Sequence, residues 1–176
     1  PDFESPLKNA TITSGFGPRT HPITGNPSFH TGIDASGAEG TPIFASASGK
    51  IKFERQEPDP KSIKAKLNNV LKMFGTQFEP EGYGYSATID HDNGYSSKYA
   101  HMNKENWEKN KNIYEKNGNA VNKGDKIGGV GNTGSSTGNH LHFEIKHGGR
   151  ALDPNMFLNP NNPGRKKISK DVNLNV

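Results

Sequence analysis

The sequence predicts a mainly β protein of antiparallel strands, with one amphipathic helix inserted near residues 59–74. Three observations carry this expectation. The 176 residues include 21 Gly and 12 Pro, which punctuate the chain every few positions and leave little room for long helices. Apolar residues come in short clusters, such as Ile43 to Ala47, Ile51 to Phe53 and Leu141 to Ile145, whose lengths suit strands. Asp92-Asn93-Gly94 supplies the positive-φ residues that a tight hairpin turn requires. A helical bundle is excluded, and the length suits one domain.

Taken in order, Thr11 to Phe53 reads as turns and short strands, with Ile43 to Ala47 and Lys50 to Glu54 forming a hairpin around Ser48-Gly49. Asp59-Pro60 is a helix-start signal, and Ile63, Leu67, Val70, Leu71 and Phe74 then recur at helical spacing before Gly75 ends the pattern. That stripe is too apolar to face water and should dock on the β core, as an ornament or as a wall beside a groove. Tyr85 to Asp90 and Gly94 to Ala100 form a second hairpin. Trp107 to Asn119 reads as a loop or short helix, and Ala120 to Val130 and His140 to His147 as the final strands. Residues 1–10 are a lead-in, 11–158 a single domain with its insert over 54–82, and 159–176 a tail with little to bury.

Charge and composition narrow the function classes. No window approaches the ~18 consecutive apolar residues of a membrane span, and Pro1 to Ala10 carries no signal-peptide pattern, so the chain reads as a soluble, mature or trimmed fragment. The net charge is +4, with no basic stripe interleaved with aromatics, which speaks against a nucleic-acid partner and suits an anionic polymer such as a cell wall. The chain has no cysteine, so a transition metal must be held by histidines and carboxylates.

Two settings have the spacing of metal ligands. His30-Thr31-Gly32-Ile33-Asp34 brings an imidazole and a carboxylate within four residues. His140-Leu141-His142 puts two imidazoles on one face of a strand, because side chains alternate with period 2. Alone, each has an ordinary reading as a solvated turn or a pair of surface histidines; together, in a cysteine-free domain, they point to a His/Asp metal site. Two other motifs lack their context. Gly129-Val130-Gly131-Asn132-Thr133-Gly134 spells a phosphate loop without a following helix, and the turn from Val121 to Gly128 resembles a carrier domain without an attachment lysine.

Six blocks carry a specific resemblance: Gly15-Phe16-Gly17-Pro18-Arg19-Thr20-His21-Pro22, Phe29 to Asp34, Gly40 to Ile43, Ile89 to Tyr95, Tyr99-Ala100-His101-Met102, and Gly134 to Glu144. In this order they resemble the lysostaphin-type, or LytM, zinc metalloendopeptidases. The resemblance implies antiparallel sheets forming an open groove, with one zinc per chain bound by His30, Asp34 and His142. It implies His101 and His140 as catalytic groove histidines, general base and donor in an order left open. Arg19, with its planar five-donor fork, Tyr99 and Asn139 are candidate substrate contacts; a surface arginine and ordinary sheet packing are the alternatives. His21, His91 and His147 read as structural or exposed.

The implied reaction is hydrolysis of peptide bonds in peptidoglycan cross-links or stem peptides, by an enzyme acting outside the cytoplasm or carried on a phage virion. The alternative is a catalytically silent LytM module that binds and activates another wall hydrolase. A regulatory protein or an N-terminal inhibitory segment outside this chain stays open as a partner.

Overall fold

A computed structural model describes residues 1–21, 25–56, 66–67, 70, 73–74, 82–134 and 136–158. Twelve strands are defined among them: β1 (Thr11–Ser14), β2 (Gly17–Thr20), β3 (Pro27–His30), β4 (Ile33–Ser36), β5 (Pro42–Phe44), β6 (Gly49–Gln56), β7 (Gly84–Asp90), β8 (Tyr95–Met102), β9 (Ala120–Val121), β10 (Lys126–Gly129), β11 (His140–His147) and β12 (Arg150–Leu152). The main sheet runs β1-β4-β11-β8-β7-β6-β9, with β12 beside β11, while β10 pairs β5 and β2 pairs β3 in two small sheets. The pairings are antiparallel, as predicted.

The core lies on one face of β11 and its neighbours. Leu141, Phe143 and Ile145 alternate into it and meet Tyr99 and Met102 from β8 and Ala87 and Ile89 from β7, all fully buried. The β7–β8 turn forms as the sequence predicts, with Asn93 at φ 60° and Gly94 at φ 76°.

The hairpin expected around Ser48-Gly49 does not form. β5 pairs with β10, and β6 pairs with β7 and β9. The backbone groups between them are engaged elsewhere: Ala45 N–H donates to Asp125 O, and Ser46 N–H donates to the Tyr99 hydroxyl. Gly49 serves close approach rather than a turn, since a Cβ there would run into Asp90 O.

Trp107 to Asn119, read as a loop or short helix, belongs to a helix that starts earlier, α1 (Lys104–Lys116). Asn103 Oδ1 accepts the N–H of Asn106 and caps it. Trp107 fixes the helix to the sheet by packing on Tyr85 and Phe53 and donating from Nε1 to Ser86 O at 2.8 Å. The segment 1–10 is more than a lead-in. Phe3 and Leu7 are buried, and Phe3 packs edge-on against Phe157 of the short helix α2 (Asn155–Leu158).

Most of the predicted insert helix, including Ile63 and Leu71, and the tail 159–176 lie outside the described residues. Lys66, Leu67 and Val70 are helical, but Leu67, Val70 and Phe74 are 41, 50 and 77 % exposed, so this part of the stripe does not dock on the core. β6 and β7, the strands before and after it, already pack against α1 through Phe53 and Tyr85.

Candidate metal centre

Antiparallel pairing of β11 with β4 sets His142 directly opposite Asp34. His30 arrives from the end of β3, two residues before β4, and the short link must pass tightly over β11. Gly32 permits this, because a Cβ at that position would collide with Phe143 O. Three donor atoms converge as a result. His142 Nδ1 lies 2.9 Å from Asp34 Oδ1, His30 Nε2 lies 3.2 Å from the same oxygen, and His30 Nε2 lies 3.1 Å from His142 Nδ1.

The far nitrogens decide what these atoms can be. His30 Nδ1 donates to Gly15 O at 2.8 Å, because a carbonyl can only accept, and this leaves Nε2 with its lone pair inward. His142 Nε2 is 2.9 Å from Glu144 Oε1, and donation to that carboxylate leaves Nδ1 as the inward lone pair. Two imidazole lone pairs and a carboxylate oxygen thus face one another within a few ångströms and require a positive charge between them. A proton can fill that place as a metal ion can, and the titration shows it. Burial alone would raise the Asp34 pKa, but hydrogen bonds from His142 and His30 outweigh it and hold the carboxyl well below the usual range. Burial would lower His142, but bonds to Asp34 and Glu144 win and raise it. A two-histidine, one-carboxylate set of this kind suits a transition metal with an open position.

His101 and His140 stand beside the three, their ring centroids 4.8 Å apart. His101, the last residue but one of β8, lies in the left-handed region at φ 59° and is 7 % exposed. Its backbone N–H donates to Tyr83 O at 2.8 Å and its Nδ1 to Thr133 O at 2.7 Å, so Nε2 is the uncommitted nitrogen. Burial pushes its pKa down to about 4, partly offset by the Thr133 carbonyl. His140 Nδ1 is 2.8 Å from Gly138 O, and its Nε2 is 3.7 Å from Asp34 Oδ1.

The other site residues named from sequence are scattered. Arg19 turns inward, its Nη1 2.6 Å from Ser14 Oγ and 3.5 Å from Asp34 Oδ2. Asn139 is exposed on the turn before β11. Tyr99 is not a groove residue. It is fully buried, its hydroxyl accepts from Ser46 N and Ser97 Oγ, and burial pushes its pKa up to about 12. Burial alternates along β8 from Tyr95 to Tyr99, but His101 at φ 59° breaks that alternation, so its even spacing from Tyr99 does not put the two side chains on one face. His91 is structural, bridging Ser48 O and Ser97 Oγ.

Glu144, Thr31 and Tyr83 join the site only in the structure. Tyr83 donates to Glu144 Oε1 at 2.8 Å and sets its ring 5.8 Å from that of His142; Thr31 Oγ1 donates to the same oxygen at 2.8 Å. The period-2 spacing of His140, His142 and Glu144 is the signal that could have found the carboxylate.

The chain is similar to several known proteins. Residues 28–154 match the model described as Peptidase family M23. The chain is 36 % identical over 149 residues to a DD-carboxypeptidase/endopeptidase, Mpg, of Neisseria meningitidis, covering 85 % of this chain and 27 % of that protein. It is 32 % identical over 143 residues to the peptidoglycan DD-endopeptidase ShyB of Vibrio cholerae, covering 81 % of this chain and 26 % of that one. The chain therefore spans about a quarter of the length of these relatives. Among solved structures, a zinc-containing peptidase from Vibrio cholerae superposes with a TM-score of 0.62 at 30 % identity, over 87 % of this chain and 39 % of that one. The catalytic domain of lysostaphin from Staphylococcus simulans does so at 0.55 and 26 %, over 83 % and 90 %.

Proposed function

The chain belongs to peptidase family M23, and from that premise we propose that it is a zinc-dependent endopeptidase that hydrolyses peptide bonds in peptidoglycan. The observation that carries the reading is the convergence of His30 Nε2, Asp34 Oδ1 and His142 Nδ1, each with its lone pair inward. We assign one zinc per chain to these three residues. Zinc held there supplies a Lewis acid that polarises a scissile carbonyl and acidifies water. The rest is the work of the chain's own side chains.

His101 and His140 commit Nδ1 to the Thr133 and Gly138 carbonyls, so each has Nε2 to offer. One accepts the proton of the attacking water at Nε2; the other, whose Nδ1 proton is already committed, donates from Nε2 as the imidazolium, to the developing oxyanion or the leaving amine. Burial keeps His101 neutral through the physiological range, which suits a proton acceptor. Arg19 holds Asp34 Oδ2 and so leaves Oδ1 to the metal. Asn139, exposed beside His140, is the remaining candidate contact to substrate.

Relatives named peptidoglycan DD-endopeptidases support a direct D,D cross-link as the substrate, ahead of a glycine bridge or a stem bond. Such a substrate sets the site of action outside the cytoplasm, and no described helix is long and apolar enough to cross a membrane. The catalytic unit is residues 11–158, with 1–10 packed against it.

The test is metal analysis of the purified chain together with mass analysis of products from two wall preparations, one directly cross-linked and one glycine-bridged. One zinc per chain and new ends at the direct cross-links are expected. A zinc-loaded chain that cuts neither wall, yet stimulates another wall hydrolase, would establish the silent-module alternative instead.

A further inference from the structure

β11 presents three side chains to the metal centre, and Glu144 has so far no assigned work. It is completely buried, on the face of β11 that carries His140 and His142, opposite to Leu141, Phe143 and Ile145. Packing alone would be served better by an aliphatic residue, because a carboxylate removed from water is retained only where its charge and lone pairs are used. Here they are used on one oxygen. Oε1 accepts from His142 Nε2 at 2.9 Å, Thr31 Oγ1 at 2.8 Å and Tyr83 Oη at 2.8 Å. Oε2 has no hydrogen bond among the described residues and lies 3.0 Å from the Lys146 ammonium.

We propose that Glu144, clamped by Thr31 and Tyr83, is a positioning residue that locks His142 with its proton on Nε2 and its Nδ1 lone pair in the ligand triangle. The inference rests on reading His142 as a metal ligand. The two histidines are backed differently. His30 donates to the Gly15 backbone carbonyl, which any side chain at that position would provide, whereas His142 depends on a side chain that a single substitution removes. A carboxylate behind an imidazole also makes it a stronger electron donor, and with Asp34 it supplies the second negative charge that balances a divalent ion. The His30-to-Asp34 link is built around this residue. Thr31 holds Oε1, and Gly32 leaves room where a Cβ would press on the Glu144 Cγ.

The experiment is zinc affinity, measured by competition with a chromogenic chelator, on the full chain and its variants, paired with ¹⁵N NMR of the His142 ring in the zinc-loaded protein. Glu144→Gln is nearly isosteric and keeps an acceptor without the charge; it should weaken zinc binding about 10- to 100-fold with the fold intact by circular dichroism. Thr31→Val and Tyr83→Phe should each weaken it less, and Thr31→Ser should restore it. If Glu144→Gln does not fold, the Thr31 pair decides the matter by itself. Wild-type affinity and an unchanged His142 Nε2–H signal in Glu144→Gln and Thr31→Val would overturn the proposal. His142→Ala separates this failure from a failure of the ligand reading, which alone predicts that zinc is lost in that variant.

Discussion

His142 and Asp34 occupy directly opposed positions on β11 and β4, with Nδ1 and Oδ1 2.9 Å apart. A pair fixed by strand register is rigid, because moving either atom means slipping a strand by a residue and turning its whole apolar set to the wrong face. The link Thr31-Gly32-Ile33 then allows His30 one approach, over Phe143 O. Preorganisation of this kind makes the consequences of single substitutions sharp.

Removing the carboxylate is expected to empty the centre. Asp34→Ala should fall from about one bound zinc per chain to well below stoichiometric and lose hydrolysis, since three protein ligands are the working set for a catalytic zinc and no thiolate can replace one. Elemental analysis after dialysis checks this; full zinc content in the variant would remove Asp34 from the ligand set.

The groove histidines should separate binding from turnover. His101→Ala and His140→Ala are expected to retain zinc while kcat falls on the order of 10²- to 10⁴-fold, the range for a lost general acid or base. Zinc content and steady-state rates on a purified muropeptide are the two readouts. Loss of the metal in either variant would reclassify that residue as a ligand.

His101 links the fold to pH. An unfolded histidine titrates near pH 6.5, whereas burial takes the folded residue down to about 4. Between those values the unfolded chain binds the extra proton, so this contribution to stability is complete above pH 6.5 and is lost as pH falls towards 4, on the order of 3 kcal/mol in all. Urea unfolding of the metal-free protein from pH 7 to 4 should show the decline, and His101→Asn should flatten it. An NMR titration of the His101 ring with an inflection near 6.5 would contradict this assignment.

Tyr99 should behave as a core residue. Tyr99→Phe leaves Ser46 N–H without an acceptor, and a buried unpaired donor costs about 1–3 kcal/mol. Denaturant unfolding should register that loss while KM and zinc content stay at wild-type values; a raised KM would return Tyr99 to the groove.

Trp107 should bear on stability alone. Trp107→Ala removes the anchor of α1 on Phe53 and Tyr85 together with its bond to Ser86 O, and a cost of about 3–5 kcal/mol is expected. Zinc stoichiometry at low temperature should stay unchanged; loss of zinc would show that the helix also supports the metal centre.

The sequence by itself determined what local rules govern. Period-2 alternation put His140 and His142 on one strand face, the lack of cysteine left histidine and carboxylate as ligands, and Asn93-Gly94 set the β7–β8 turn. The tertiary structure decided everything that depends on which strand lies next to which. Gly49 looked like half of a turn but gives room to Asp90 O, and Ile43 to Phe44 pair with a strand some 80 residues on. Glu144 sits in a strand buried on both faces from Leu141 to Ile145, and His101 at φ 59° breaks the alternation that would put it on the Tyr99 side of β8, so pattern cannot tell core from groove there. The tautomers of His30 and His142, and with them the ability to bind a metal, are set by a carbonyl 15 residues back and a carboxylate two residues on. Hydrogen bonds of that kind exist only once the sheet has closed around them.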